Sequence, residues 1–210
     1  MDKLRDIGTT STGHVTLDKD GEIIGRTGRD RWGSADKDVK RFNIQLPRQS
    51  LRHELLSSLP GDMVQWGKKL LSIAPDSKTI SFTDGTTTNY DLLVDASGIW
   101  SQFVAHHPLS YLGVIVILGR GRVVTKNDLM LGVDKIWQTV DGVTRMYAMP
   151  FGIEGETMWQ LSWKCSEEMA KELGSDSTRL LSAAKSRVKG WHDPWTELLN
   201  STSLDDVTGI

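Results

Sequence analysis

The chain has 210 residues, 38% hydrophobic and 25% charged, with a formal net charge of −2. That balance is ordinary for a globular protein with a substantial core, and it gives no electrostatic reason to expect nucleic acid or an anionic membrane as partner. The longest apolar run, Leu112–Leu118, falls far short of the ~20 residues that span a bilayer, and the first residues, MDKLRDIGTT, lack the apolar core of a signal peptide. The single cysteine, Cys165, excludes an internal disulfide framework, so the expectation is a soluble protein of a reducing, cytoplasmic compartment.

Taken in chain order, HVTLDKDGEIIG reads as a hairpin turning at Asp20-Gly21, where glycine supplies the positive φ. The stretch from Gly25 to Phe42 mixes acids and bases without apolar periodicity and reads as an exposed loop. A helix is predicted from near Pro47, with Leu51, Leu55 and Leu59 on one face, Leu56 beside them, and Pro60-Gly61 as the stop. Short strands are expected at Met63–Trp66, Lys69–Ile73 and Thr79–Phe82, with turns at Pro75-Asp76 and Asp84-Gly85. The run Leu92-Leu93-Val94 does not alternate, as befits a strand covered on both faces of a parallel sheet. Ala96-Ser97-Gly98 directly after such a strand is a place where backbone can approach a ligand.

Tyr111–Leu118 reads as another buried strand, and Lys135–Val140 with Val143–Met149 as a hairpin about Asp141-Gly142. Thr157–Trp163 alternates Trp159, Leu161 and Trp163 on one face and joins the same sheet. Helices follow at Ser166–Leu173, ended by Gly174; from about Asp176 to Lys189, with Leu180, Leu181, Ala184 and Val188 inward; and at Pro194–Asn200.

Three segments carry a family resemblance. Arg48, Leu51, Arg52, Leu55 and Leu56 form R-x-x-L-R-x-x-L-L; Asp91–Ser101 reads DLLVDASGIWS; and YLGVIVILG, MYAMPF, TMWQLSW and GWHDP follow in order to the end. The whole resembles the FAD-dependent monooxygenases of the aromatic-hydroxylase and tetracycline-degrading type. The resemblance implies a mixed α/β fold, in which a partial FAD-binding parallel-sheet lobe interleaves with an antiparallel-sheet substrate lobe. Residues 1–45 would supply a substrate-lobe hairpin and loop, 46–104 the partial FAD-binding lobe, 105–165 the substrate-lobe sheet and 166–210 the C-terminal helices. It also implies hydroxylation of a small organic substrate by a flavin hydroperoxide, with FAD as cofactor, NAD(P)H as reductant and no catalytic acid or base in the protein.

Within that resemblance Arg48, Ser97 and Gly98 are the cofactor-contact candidates. An arginine at a helix start can join backbone N–H groups against phosphate or the ring's polar edge, although Arg48 by itself also reads as a surface residue opening an amphipathic helix. The sequence departs from the family where Asp95 replaces glycine, Ser97 replaces aspartate and Val104 stands in place of arginine. Ser97 can still hydrogen-bond but cannot hold charge. No G-x-G-x-x-G occurs, Gly119-Arg120-Gly121 going no further, and the chain stops at DDVTGI before the family's G-D-A-x-H element. These absences predict weak or no FAD binding by the isolated chain, and an alternative reading as a truncated, non-catalytic relative that binds a small molecule or a partner chain.

The remaining candidates carry less. His106-His107 lack further ligands at metal spacing, so no metal is expected. His192 reads as a hydrogen-bonding residue of a turn and Cys165 as a small packed hydrophobe. Trp137, Trp159 and Trp163 read as core ahead of an aromatic substrate pocket.

Overall fold

The computed structural model describes residues 2–11, 13–28, 43–101, 103, 109–123, 135–151 and 155–209. In chain order the elements are α1 (Asp2–Asp6), β1 (Thr9–Ser11), β2 (Gly13–Asp18), β3 (Ile23–Gly28), β4 (Asn43–Gln45), α2 (Arg48–Ser57), β5 (Leu70–Ala74), β6 (Thr79–Phe82) and β7 (Thr87–Asn89). They continue with β8 (Val114–Gly121), β9 (Lys135–Val140), β10 (Thr144–Phe151), β11 (Glu156–Lys164), α3 (Glu167–Leu173), α4 (Ser177–Arg187), α5 (Trp195–Asn200) and β12 (Thr208–Gly209). The fold is mixed α/β, and the chain divides into two compact units, Met1–Glu54 with Tyr111–Ile210, and Leu55–Ser110.

The first unit is built on a seven-stranded sheet in the order β12-β8-β11-β10-β9-β2-β3. Every pairing is antiparallel except β2 with β9. Alternation along each strand sorts its side chains. Val15 and Leu17, Trp137, Met146 and Ala148, Trp159, Leu161 and Trp163, and Ile115 and Ile117 all point to one buried face. On that face those of β8–β11 join Leu180, Leu181 and Ala184 of α4 with Trp195, Leu198 and Leu199 of α5 in one continuous core. Each large apolar side chain buried this way contributes roughly 1.5–3 kcal/mol of transfer free energy, so the sheet and the helices stabilise each other.

Glycine makes the central packing possible. Gly119 lies opposite Trp159 in the register, and a Cβ there would stand 2.4 Å from the indole ring. The ring therefore lies over bare backbone, and its Nε1 donates to Thr202 Oγ1 at 2.9 Å. The helices are held by capping: Ser166 accepts from Met169 N and Asp176 from Arg179 N. Behind the sheet, Trp195 Nε1 donates to Thr139 Oγ1 at 2.9 Å, and Thr139 Oγ1 lies 2.9 Å from His192 Nε2. Since His192 Nδ1 faces the Asp193 carbonyl at 2.7 Å and must donate to it, Nε2 accepts the threonine proton in the neutral ring. His192 is thus a tie between β9 and the start of α5.

Both predicted hairpins form. Asp18 Oδ1 accepts from the N–H groups of Asp20 and Glu22 across the β2–β3 turn, while Gly21 and Gly142 take φ of 93° and 88°. The tryptophans of β9 and β11 are core residues, not a pocket lining.

The second unit is lighter. β5, β6 and β7 form a three-stranded antiparallel meander, and Lys68 joins Asp84 beside it. Three expectations change here. Met63–Trp66 is not a strand, and Leu92-Leu93-Val94 pairs with no strand among the described residues; Leu92 is 81% exposed and Val94 75%. The face of α2 expected to be buried is not: Leu55 and Leu59 are exposed, and no residue of the helix is buried. An apolar pattern is a local signal of side chains fit for burial, and it does not by itself specify the surface that would cover them. The predicted loop from Gly25 to Phe42 falls mostly outside the described residues, as do Val104, His106 and His107.

Candidate functional site

Opposite the helix-covered face, the sheet of the first unit carries polar and aromatic side chains that are only half-buried. His14 and Thr16 come from β2, Gln138 from β9, Arg145 and Tyr147 from β10 and Gln160 from β11. The register places Tyr147 beside Gln138 and Gln160, and Gln138 beside Thr16, so four strands contribute to one transverse row. Pleating does the rest: residues directly opposite each other share a face with Cβ atoms about 5 Å apart.

These residues hold one another in place. Arg145 Nε donates to Gln138 Oε1 at 2.8 Å, and Gln138 Nε2 donates on to Thr16 Oγ1 at 3.0 Å. The Arg145 guanidinium lies 4.9 Å from the Tyr147 ring centre, and His14 meets the same ring edge-on at 6.0 Å. Tyr147 O–H points at Met149 Sδ, 3.7 Å away. Burial first, and then the Arg145 charge, push the His14 pKa below its ordinary value. Burial also raises that of Tyr147, with Arg145 opposing. Both effects favour the neutral side chains beside a fixed cation.

Two polar atoms in this part of the molecule are buried with no hydrogen-bond partner among the described residues. They are His14 Nε2 and Gln45 Oε1. Gln45 sits on β4, its amide donating to Ser11 Oγ at 2.8 Å on β1, and Thr9 of β1 reaches Pro150 O at the end of β10. A buried unpaired polar group costs about 1–3 kcal/mol, which a ligand carrying the complementary group recovers. A cation on an aromatic ring, a neutral imidazole and amide groups form a surface suited to a planar molecule with acceptor or anionic oxygens. Sequence reasoning missed these residues. Their only trace was the polar half of the alternation in TRMYAM and KIWQTV, read there for its apolar half.

The predicted cofactor residues lie elsewhere. Arg48 opens α2 in the first unit, exposed, whereas Ser97 and Gly98 belong to the second. In that second unit they form one short turn. Ser97 N donates to Asp95 Oδ1 at 2.9 Å, and the hydroxyls of Ser97 and Ser101 both donate to the same carboxylate. Gly98 takes φ of 78°, and a Cβ there would meet nothing within 4 Å, so the glycine serves the turn's geometry and the space beside it is open. The Ser101 hydroxyl, and then Ser97, hold the Asp95 carboxyl below its ordinary pKa. Asp95 is thus the internal acceptor for the two serines around it.

That turn does not fit a flavin pyrophosphate. Its hydroxyls and the Ser97 N–H already serve a carboxylate, and an incoming phosphate would meet that negative charge. Among the described residues no three histidine, cysteine or carboxylate groups stand together as metal ligands, and no helix is long and apolar enough to cross a membrane.

Neither a protein-family model nor a curated protein sequence matches the chain. Its fold does match solved structures. Klebsiella pneumoniae HpxO, complexed with FAD and uric acid, matches over 100% of this chain and 53% of its own, with 22% identity and a TM-score of 0.79. Pseudomonas aeruginosa PqsL in complex with 2-aminobenzoylacetate matches over 98% of this chain and 56% of its own, at 17% identity and 0.73. The 2,6-dihydroxypyridine-3-hydroxylase of Arthrobacter nicotinovorans matches over 97% and 56%, at 17% identity and 0.72. The chain has the fold of FAD-dependent monooxygenases and spans about half the length of these relatives.

Proposed function

We propose that this chain is the substrate-binding part of an FAD-dependent monooxygenase, taking a small planar organic molecule on the open face of the seven-stranded sheet. The observation that carries the reading is the cluster of His14, Gln138, Arg145 and Tyr147, interlocked and half-buried, with His14 Nε2 unpartnered. Similarity of fold to proteins solved with FAD, uric acid and 2-aminobenzoylacetate supports it. Arg145 would hold an acceptor or anionic oxygen, its position fixed by Gln138 and the Tyr147 ring. His14 would exchange a hydrogen bond with a ring N–H or hydroxyl, and the half-buried setting would exclude water from both. FAD supplies the oxygen chemistry in such enzymes, and NAD(P)H is the proposed reductant. Arg48 is the proposed flavin contact of the first unit.

The test is calorimetric titration of the purified chain with urate, 2,6-dihydroxypyridine and 2-aminobenzoylacetate. Saturable binding of at least one, weakened by Arg145→Ala, is expected; no binding of any of them removes the reading.

A second reading is favoured by the Asp95 turn. There the chain is a non-catalytic relative that binds the small molecule without turning it over. Adding FAD and NADH to the ligand-saturated chain separates the two, because ligand-dependent NADH oxidation belongs only to the enzyme.

A further inference from the structure

Helices α3 and α4 of the first unit each have a side that the core does not use. α4 turns Leu180, Leu181 and Ala184 inward, and Ala170 and Leu173 of α3 pack against the same core. On the outer side, Met169 and Leu173 of α3 and Ala183 of α4 floor an apolar groove of about 630 Å³, which Thr178, Ser182 and Ser186 of α4 complete. A small ligand fits poorly there, because such sites enclose most of the ligand and aim buried polar groups at it, whereas the polar lining here is exposed. Another helix fits better. The short side chains of α4 allow close approach, and Met169, 59% exposed, is an unbranched side chain that adapts to the gaps of a facing surface.

Charge identifies the occupant. The α3 rim of the groove carries Glu168 and Glu172, four residues apart and exposed, while Lys171 of the same helix is paired with Glu167 at 2.7 Å. The opposite rim carries Lys185 of α4 and Lys189 just beyond it, each three residues on from a groove serine and both exposed. One edge is thus acidic and the other basic, with an apolar floor between them. A surface divided in this way is complementary to itself. A two-fold axis through the groove lays α3 of each copy over α4 of the other, so that acidic rim meets basic rim twice. Laying α3 over α3 would set like charges together instead. We infer that the α3–α4 face is an isologous docking surface for a second copy of this chain, with Met169 of each copy seated against the short side chains of the other copy's α4. Nothing in this depends on the ligand of the open sheet face.

Sedimentation velocity of the full 210-residue chain tests this. The chain should pass from monomer to dimer over roughly 1–100 μM, the range of a small interface, and less readily in about 1 M salt than in about 0.1 M. Reversing one rim, by Glu168→Lys with Glu172→Lys or by Lys185→Glu with Lys189→Glu, should raise the dissociation constant about 10-fold or more. Far-UV circular dichroism should not change, because all four residues are exposed. The two reversed variants mixed in equal amounts should dimerise again, since one then has two basic rims and the other two acidic ones. Ser182→Trp, which fills the groove from an exposed position, should weaken the dimer without touching either rim. A parent chain still monomeric at about 100 μM overturns the inference. So does a dimer indifferent to either reversal or to Ser182→Trp, and so do folded reversed variants that stay apart when mixed.

Discussion

Arg145 is fixed on two sides before any ligand arrives: Gln138 holds its Nε and Tyr147 lies under its plane. Such preorganisation lowers the entropy lost on binding and concentrates specificity in one planar donor. Replacing it with alanine removes a charge-assisted bond of about 1.5–3 kcal/mol, so ligand affinity in the calorimeter should fall on the order of 10- to 100-fold. Arg145→Lys should recover only part of this, because an ammonium cannot present the same fork. His14 adds a pH dependence of defined sign. Its folded-state pKa lies below the ordinary 6.5, so the folded protein binds fewer protons than the unfolded chain. The associated stability is present above about pH 6.5 and is lost as pH falls toward the depressed folded value. Denaturant unfolding of His14→Gln should therefore lose less stability than the parent between pH 7 and pH 5, each about neutral and acid reference points for histidine. An equal loss in both proteins would remove His14 as the cause.

At the scale of the elements, the packing of β8 against β11 turns on Gly119. A methyl group there would stand 2.4 Å from Trp159, whose indole is fixed by Thr202 and fully buried. Gly119→Ala should cost about 1–3 kcal/mol or more of unfolding free energy in urea, the range for overpacking a tight core. On the helical side, Leu198→Ala should cost about 2–5 kcal/mol. The strands β9, β10 and β11 and their faces were legible because alternation is a local signal: Trp159, Leu161 and Trp163 announce a buried face whatever covers it. The three Asp-Gly turns were legible for the same reason, since positive φ selects glycine. Partner choice was not legible. Nothing in GHVTLD says that β2 pairs in parallel with β9, more than a hundred residues away. The open-face site was hidden by the same logic, because His14, Gln138, Arg145 and Tyr147 are scattered in sequence and meet only through register. The Asp95 turn was visible as a departure from a family pattern, but its hydrogen bonds to Ser97 and Ser101 required three-dimensional structure.

For the molecule as a whole, the decisive quantity is how far FAD stabilises the chain. Any ligand that binds the folded state stabilises it by RT ln(1 + [L]/Kd), which is about 2.7 kcal/mol at a hundredfold excess over Kd. In a protein of this size, 1 kcal/mol moves the melting temperature by about 2–4 °C, so saturating FAD bound tightly would raise it by roughly 5–10 °C. The structure argues for a far smaller response. The turn of Ser97 and Gly98 has its donors committed to Asp95, which leaves Arg48 of the three proposed cofactor contacts. A single exposed arginine gives an ion pair of about 0–1 kcal/mol, well short of what would hold a dinucleotide at micromolar concentration. Calorimetric melting of the purified chain with FAD in large excess should therefore shift by about 1 °C or less. Arg48→Ala should abolish whatever shift there is. A rise of several degrees would mean that FAD finds a grip outside Arg48, Ser97 and Gly98, and it would leave Asp95 without the blocking role assigned to it.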